Sequence, residues 1–190
     1  MAPPIKGLTL LHPWAFAVQK LNKDVENRSQ HITRKGGCVG MYLAIHGGVP
    51  PKPGYNARWA DFQQQTRGLI HVLENGGGTK GTLRASGALV EEGGQFTLSH
   101  QQLIVPGIVA VARVSACVKD HPSPWSVAGE WQYVLSDVLV LGQPLEQRGG
   151  QGLWEIPEPN LTRLIQAWEA AHCGACPFRP KGWAPAEVGA

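Results

Sequence analysis

The sequence predicts an α+β fold that is mostly β, with one early helix tucked beside a closed sheet, an inserted helix–loop region and a C-terminal helix. Three observations predict it. Glycine and proline are abundant (24 and 15 residues) while charged residues make up 16%, a balance that favours many strands and turns over long helices. Two runs, IVPGIVAVARVSACV (104–118) and WQYVLSDVLVLGQP (131–144), carry strong strand signals. Helical spacing of apolar residues recurs near residues 14–21, 59–73 and 161–168. At 190 residues the chain suits one domain, or one domain with a short appendage, and should bury roughly 70% of the surface its unfolded form exposes.

KGLTLL (6–11) reads as a strand. Pro13 fits the first position of a helix, where its missing N–H costs nothing, and Trp14, Ala17, Val18 and Leu21 then share one helix face. VENRSQH (25–31) is a candidate strand with Glu26 and Arg28 on one face and Val25 and Asn27 on the other. Arg34-Lys35-Gly36-Gly37 is a turn, and CVGMYLAIH (38–46) reads as a strand buried on both sides. GGVPPKPGY (47–55) is a loop. Trp59, Phe62, Thr66, Leu69 and Leu73 follow helical spacing, and Asn75-Gly76-Gly77-Gly78 stops that helix. The glycine-rich stretch TKGTLRASGALVEEGGQFTLSH is weakly patterned, so the region reads as an insertion decorating the domain. The core resumes with the two strong strands, the second closed by Gly142 and Pro144. QRGGQGLWEIP adds a turn and a short strand, Leu153 to Ile156. Pro159 and Asn160 begin a helix with Leu161, Leu164, Ile165 and Trp168 on its inner face. The residues after Cys176 read as a loose tail.

The net charge of +3 and pI near 8.7 are compatible with nucleic acid without being diagnostic of it. No stretch approaches the ~18 continuous apolar residues of a membrane span, and MAPPIKGLTLLHPWAFAV is interrupted by His12 and Pro13, unlike a signal peptide. The expectation is a soluble, cytoplasmic protein with reduced thiols and no membrane partner. The C-x-x-C at Cys173 and Cys176 lacks a second ligand pair, and none of the seven histidines is followed by x-Glu as in zinc deaminases; no metal or other cofactor is expected. NGGGTKGT lacks the Gly-Lys-Ser/Thr order of a phosphate loop and reads as a flexible hairpin. G-x-S-x-G is absent, which argues against a nucleophile-elbow hydrolase.

LTLLHPWAFAV, KDVENRS, the basic turn RKGG and LAIHGG, in that order, resemble the N-terminal half of the ASCH domain; GIVAVARV, WQYVLSDVLVLGQP and GGQGLWEIP resemble its C-terminal half. The resemblance covers about residues 5–157, interrupted by an insertion at about 49–103, and leaves a C-terminal helix and flexible tail at 158–190. It implies a PUA-like β-barrel with flanking helices and a cleft, in a family regarded as RNA-binding or nucleoside-handling. One relative removes acyl groups from N4-acylated cytidine, and nuclease activity is proposed for others.

The stretch KLNKDVENRSQHITRKGG (20–37) holds the candidate site. Lys23 and Arg28 lie five apart across a helix-to-strand junction, so their side chains can converge at the barrel mouth. Arg28 offers a planar fork suited to phosphate, carboxylate or a base carbonyl, and Lys23 a compact point charge. Glu26 can pair with either cation or accept a hydrogen bond from a cytosine amino group. By spacing alone the three also read as an ion-pair network at a barrel edge with no ligand; the resemblance implies that they line the cleft. In the amidohydrolase relatives a nucleophilic threonine stands two positions before the arginine, where this chain has Glu26, a carboxylate able to act as a base toward water. No residue here is matched to the relatives' downstream catalytic glutamate.

Trp14 is either a core residue or a platform on which a base stacks for roughly 1–3 kcal/mol. His46 is either structural or a base-contacting group. Arg34 and Lys35 are solvated turn residues or phosphate contacts, and Glu155 either closes the sheet or faces the cleft. The expected function is binding of single-stranded RNA or a (modified) pyrimidine nucleotide by Trp14, Lys23, Glu26, Arg28, Arg34 and His46. The runner-up is a hydrolase, an N4-acylcytidine amidohydrolase or ribonuclease, with Lys23 and Glu26 catalytic. The third reading is an adaptor that binds a protein partner through the insertion or the C-terminal helix.

Overall fold

The computed structural model describes residues 3–75, 80–92 and 95–182. Its framework is a six-stranded sheet in the order β2-β7-β6-β3-β1-β8. The strands are β1 (Ile5–Leu10), β2 (Val25–Arg28), β3 (Tyr42–Gly47), β6 (Gly107–Val118), β7 (Trp131–Leu145) and β8 (Leu153–Trp154). Only β1 and β3 run parallel; the other neighbours are antiparallel. Three register shifts between β6 and β7 and one between β3 and β6 bend and twist the long strands. The bending brings Arg28 of β2 within 3.3 Å of the Thr9 carbonyl on β1, although three strands separate β2 from β1 in the sheet. The fold is thus a mixed α+β structure around a curled half-barrel, where the sequence predicts a closed sheet.

Strand parity sorts the core. Leu8, Leu10, Leu43 and Ile45 point inward with Tyr133, Leu135 and Val18 of helix α1 (Trp14–Lys20). Tyr42 and Ala44 point outward, where Leu164, Ile165 and Trp168 of the C-terminal helix α5 (Asn160–His172) cover them. β3 is therefore buried on both faces, as its unbroken apolar run predicts.

Four boundaries differ from expectation for physical reasons. β3 begins at Tyr42 rather than Cys38, because Gly40 takes a positive φ of 92°. β2 stops at Arg28, and the chain enters a 3₁₀ turn over Ile32–Lys35 that ends on Gly36 in the left-handed region. β7 continues through Gly142 and Pro144 to Leu145 instead of closing there. β2 pairs only with residues 131–134 of β7, so the far half of β7 is an edge, where proline removes no ladder bond. Finally, Phe178, in the expected loose tail, is buried with Cys176 against Tyr42 and Trp168. Residues 183–190 of that expected tail lie outside the described residues.

The described residues of 57–103 contribute nothing to the six-stranded sheet. They form α2 (Ala57–Glu74), α3 (Lys80–Ala85), a β4–β5 hairpin (Leu89–Glu92, Gln95–Leu98) and α4 (His100–Leu103). Phe62, Leu69, Leu83, Ala88 and Leu103 pack against Phe16 and Ala17 of α1, against Leu21 at its C-terminal cap and against Val25. Residues 76–79 of the expected NGGGTKGT hairpin lie outside the described residues, and Lys80 opens α3. Among the described residues no helix is long and apolar enough to cross a membrane.

Candidate functional site

Lys23, Glu26 and Arg28 meet, and local structure explains how. After α1, Asn22 takes the left-handed conformation (φ 54°), and the Lys23 N–H returns to the Ala17 carbonyl. Lys23 thereby folds back over the helix end. Its ammonium donates to the Val25 carbonyl and, at 3.0 Å, to Glu26 Oε2. Glu26 stands opposite Tyr133 on β7 and accepts from Arg28 Nη2 at 3.0 Å through its other oxygen. Lys23 and Glu26 are 4% and 8% exposed, whereas the Arg28 side chain keeps 32% of its surface. The trio thus carries one net positive charge with two of its members out of water.

Arg28 faces a hollow of about 190 Å³, together with Ser29, Gln30, Lys35, Tyr133 and Gln151. Its Nε is buried and has no hydrogen-bond partner among the described residues. Tyr133 is a neutral phenol: burial pushes its pKa up to about 12, with Arg28 pulling the other way, and its hydroxyl donates to the Gln30 carbonyl at 2.8 Å. A rim of neutral donors and acceptors with one further cation, Lys35, around an incompletely satisfied guanidinium suits an anionic or carbonyl-bearing group.

The other expected residues divide. Trp14 stays with the trio: the Lys23 ammonium lies 5.8 Å from its ring centroid. Its indole N–H donates to Gln65 on α2 at 2.7 Å, so α2 lies against it. Arg34 is exposed and is not among the residues lining the hollow; its neighbour Lys35 is. Glu155 is exposed and paired with Lys6. His46 is not brought to the trio. It follows Ile45, which points inward, and lies on the outer face, edge-on to Trp154 at 5.6 Å. Its Nε2 bonds the Gln147 carbonyl at 2.8 Å. Sequence reasoning missed Tyr133 and Gln151 as lining groups. They lie more than 100 residues from Arg28, and no local pattern marks them.

His12 is also buried, with Nε2 bonded to the Gly48 carbonyl at 2.9 Å. Burial lowers the pKa of both His12 and His46 below the ordinary 6.5, and for His12 the nearby His46 pushes the same way. Below pH 6.5 the unfolded chain then binds more protons than the folded one. Stability is expected to be flat above about pH 7.5 and to fall as pH drops through 6.5, by at most about 1.4 kcal/mol per pH unit for each imidazole. Urea unfolding across pH 5–8 checks this; an unchanged midpoint between pH 7.5 and 5.5 contradicts it.

Of the C-x-x-C pair, Cys173 is exposed, while Cys176 is buried and its thiol is pushed up to about 11 by that burial. Such a thiol stays protonated and is a weak nucleophile. No family model matches the chain, and no curated protein matches it significantly.

Proposed function

We propose that this chain is an ASCH-type protein with a PUA-like barrel that binds single-stranded RNA or a (modified) pyrimidine nucleotide at the hollow bordered by Arg28. The observation that carries the reading is the buried Lys23–Glu26–Arg28 chain, which holds a net positive charge and turns a partly exposed guanidinium, its Nε unpartnered, toward that hollow. A solvated edge network would have no reason to bury two of its three charges, since exposed pairs contribute little. Lys35 extends the positive character along the rim, as a strand of phosphates requires. An unpaired base edge fits a small hollow better than a duplex does.

Binding is favoured over hydrolysis because each carboxylate oxygen of Glu26 already accepts from a cation, which suits a clamp that orients Arg28 more than a base that activates water. Short RNA oligonucleotides should bind with an affinity that falls steeply with salt. Arg28→Ala should remove about 1.5–3 kcal/mol of binding, the range for a hydrogen bond to a charged group. Fluorescence anisotropy at two salt concentrations measures both. Unchanged affinity in Arg28→Ala would place the binding surface elsewhere, and turnover of an N4-acylated cytidine, lost in Glu26→Gln, would favour the hydrolase.

A further inference from the structure

We infer that the ligand of the Arg28 hollow is a single strand of at least two nucleotides, and that the base next to the one in the hollow stacks on Trp131 with its phosphate on Lys119. The inference rests on the reading of that hollow as a nucleotide site and adds a second subsite beside it.

The size of the hollow is the first reason. At about 190 Å³ it falls below the roughly 300 Å³ at which pockets begin to enclose a whole small molecule. It has room for a base edge, and the rest of a nucleic-acid ligand must lie on the surface around it. Strand pairing decides which surface that is. Tyr133, which lines the hollow, stands opposite Glu26, and Trp131 stands opposite Arg28. Directly opposed residues share a face of the sheet. Trp131 therefore lies on the side of Tyr133 and Arg28, one pleat or about 7 Å further along β7.

Trp131 has contacts to spare. It is half-buried, seated against the inner core. Its ring N–H has no hydrogen-bond partner among the described residues and is not sealed from solvent. His31 packs perpendicular to the indole with the ring centres 4.7 Å apart. The Thr33 N–H donates to His31 Nδ1, so in the neutral imidazole the proton sits on Nε2. That donor, too, has no partner among the described residues and is not sealed from solvent. The exposed Lys119 places its ammonium 5.3 Å from the Trp131 ring centroid and forms no ion pair among the described residues.

An indole flanked by an imidazole donor and an unpaired ammonium matches one nucleotide: the base stacks on the ring, and the phosphate takes the cation and the donor. Lys119 does not block the ring. An exposed cation–π contact is weaker than a base stacked on an aromatic side chain, and the flexible lysine stem lets the ammonium trade the ring for a phosphate.

The test compares cytidine 5′-monophosphate with the dinucleotide CpC by isothermal titration calorimetry on the full chain. CpC should bind about fivefold or more tightly than the mononucleotide, although it carries fewer negative charges. Trp131→Leu keeps an apolar side chain on the core and removes the ring; it should bring CpC down to the level of the mononucleotide and leave the mononucleotide unchanged. Trp131→Phe keeps a ring and should retain most of the difference. Lys119→Gln, an exposed change, should weaken CpC about threefold and leave the mononucleotide unchanged. Equal binding of the two ligands, lost for both in Arg28→Ala, overturns the second subsite and leaves the reading of the hollow standing. Trp131→Leu weakening both ligands alike also overturns it, because Trp131 would then only support the hollow. Binding of neither ligand overturns the reading of the hollow and this inference with it.

Discussion

Glu26→Ala is expected to lower the stability of the folded chain by about 3–5 kcal/mol, the range for removing one partner of a buried ion pair. For a chain of this size each kcal/mol shifts Tm by about 2–4 °C, so the melting point should drop by about 6–20 °C. The reasoning rests on burial and geometry. Lys23 has almost no solvent contact, and among the described residues its ammonium is neutralised by Glu26 alone, with the Val25 carbonyl as a second acceptor. Without the carboxylate, Lys23 and Arg28 face each other as like charges, one of them out of water. Lys23→Met alone leaves Glu26 with Arg28 as a partner and should cost less. Lys23→Met combined with Glu26→Leu should recover part of the loss, since a well-packed apolar pair can replace a buried ionic one, and the double-mutant cycle measures their coupling. A loss below about 1 kcal/mol in Glu26→Ala would mean the trio behaves as an exposed network, and the case for a preorganised binding group would fall with it.

The legible part of this site is the part that local rules build. A helix ending near Lys20 and a strand beginning at Val25 put Lys23, Glu26 and Arg28 within reach of each other, and alternation put Glu26 and Arg28 on one face. The same alternation separates His46 from them. Parity along YLAIHG fixes that His46 shares a face with Ala44 and not with Ile45, but it does not say which face the cations use; only the curl of the sheet decides that. Tyr133 and Gln151 reach the Arg28 hollow through the same curl. Gln65 on α2 bonds Trp14 across 51 positions, a docking that no helical period of α2 announces. Pro144 misled for a related reason: a proline ends a central strand and is tolerated on an edge, and edge status is a property of the assembled sheet.

The tail after Cys176 was the least legible segment, and its anchor makes the other large prediction. Its Pro-Phe-Arg-Pro-Lys-Gly composition reads as loose chain, yet one aromatic residue is enough to tie such a segment down. Phe178 is 2% exposed. Its ring lies 5.0 Å from that of Tyr42 on β3 and 5.4 Å from that of Trp168 on α5. Glu169 holds the return of the chain by accepting from the Cys176 N–H at 3.1 Å and pairing with Arg179. Phe178→Ala should therefore cost about 3–5 kcal/mol, as a large-to-small change in a packed core does, measured as a lower denaturant midpoint at unchanged slope. Cys176, buried beside it with a raised pKa, gives an independent reading. Alkylation should be slow in the native protein and faster in Phe178→Ala, because the thiol is both uncovered and easier to ionise. If a chain ending at Cys176 kept the same midpoint and the same slow alkylation, Phe178 would be resting on the core without supporting it, and the outer face of β3 would be sealed by α5 alone.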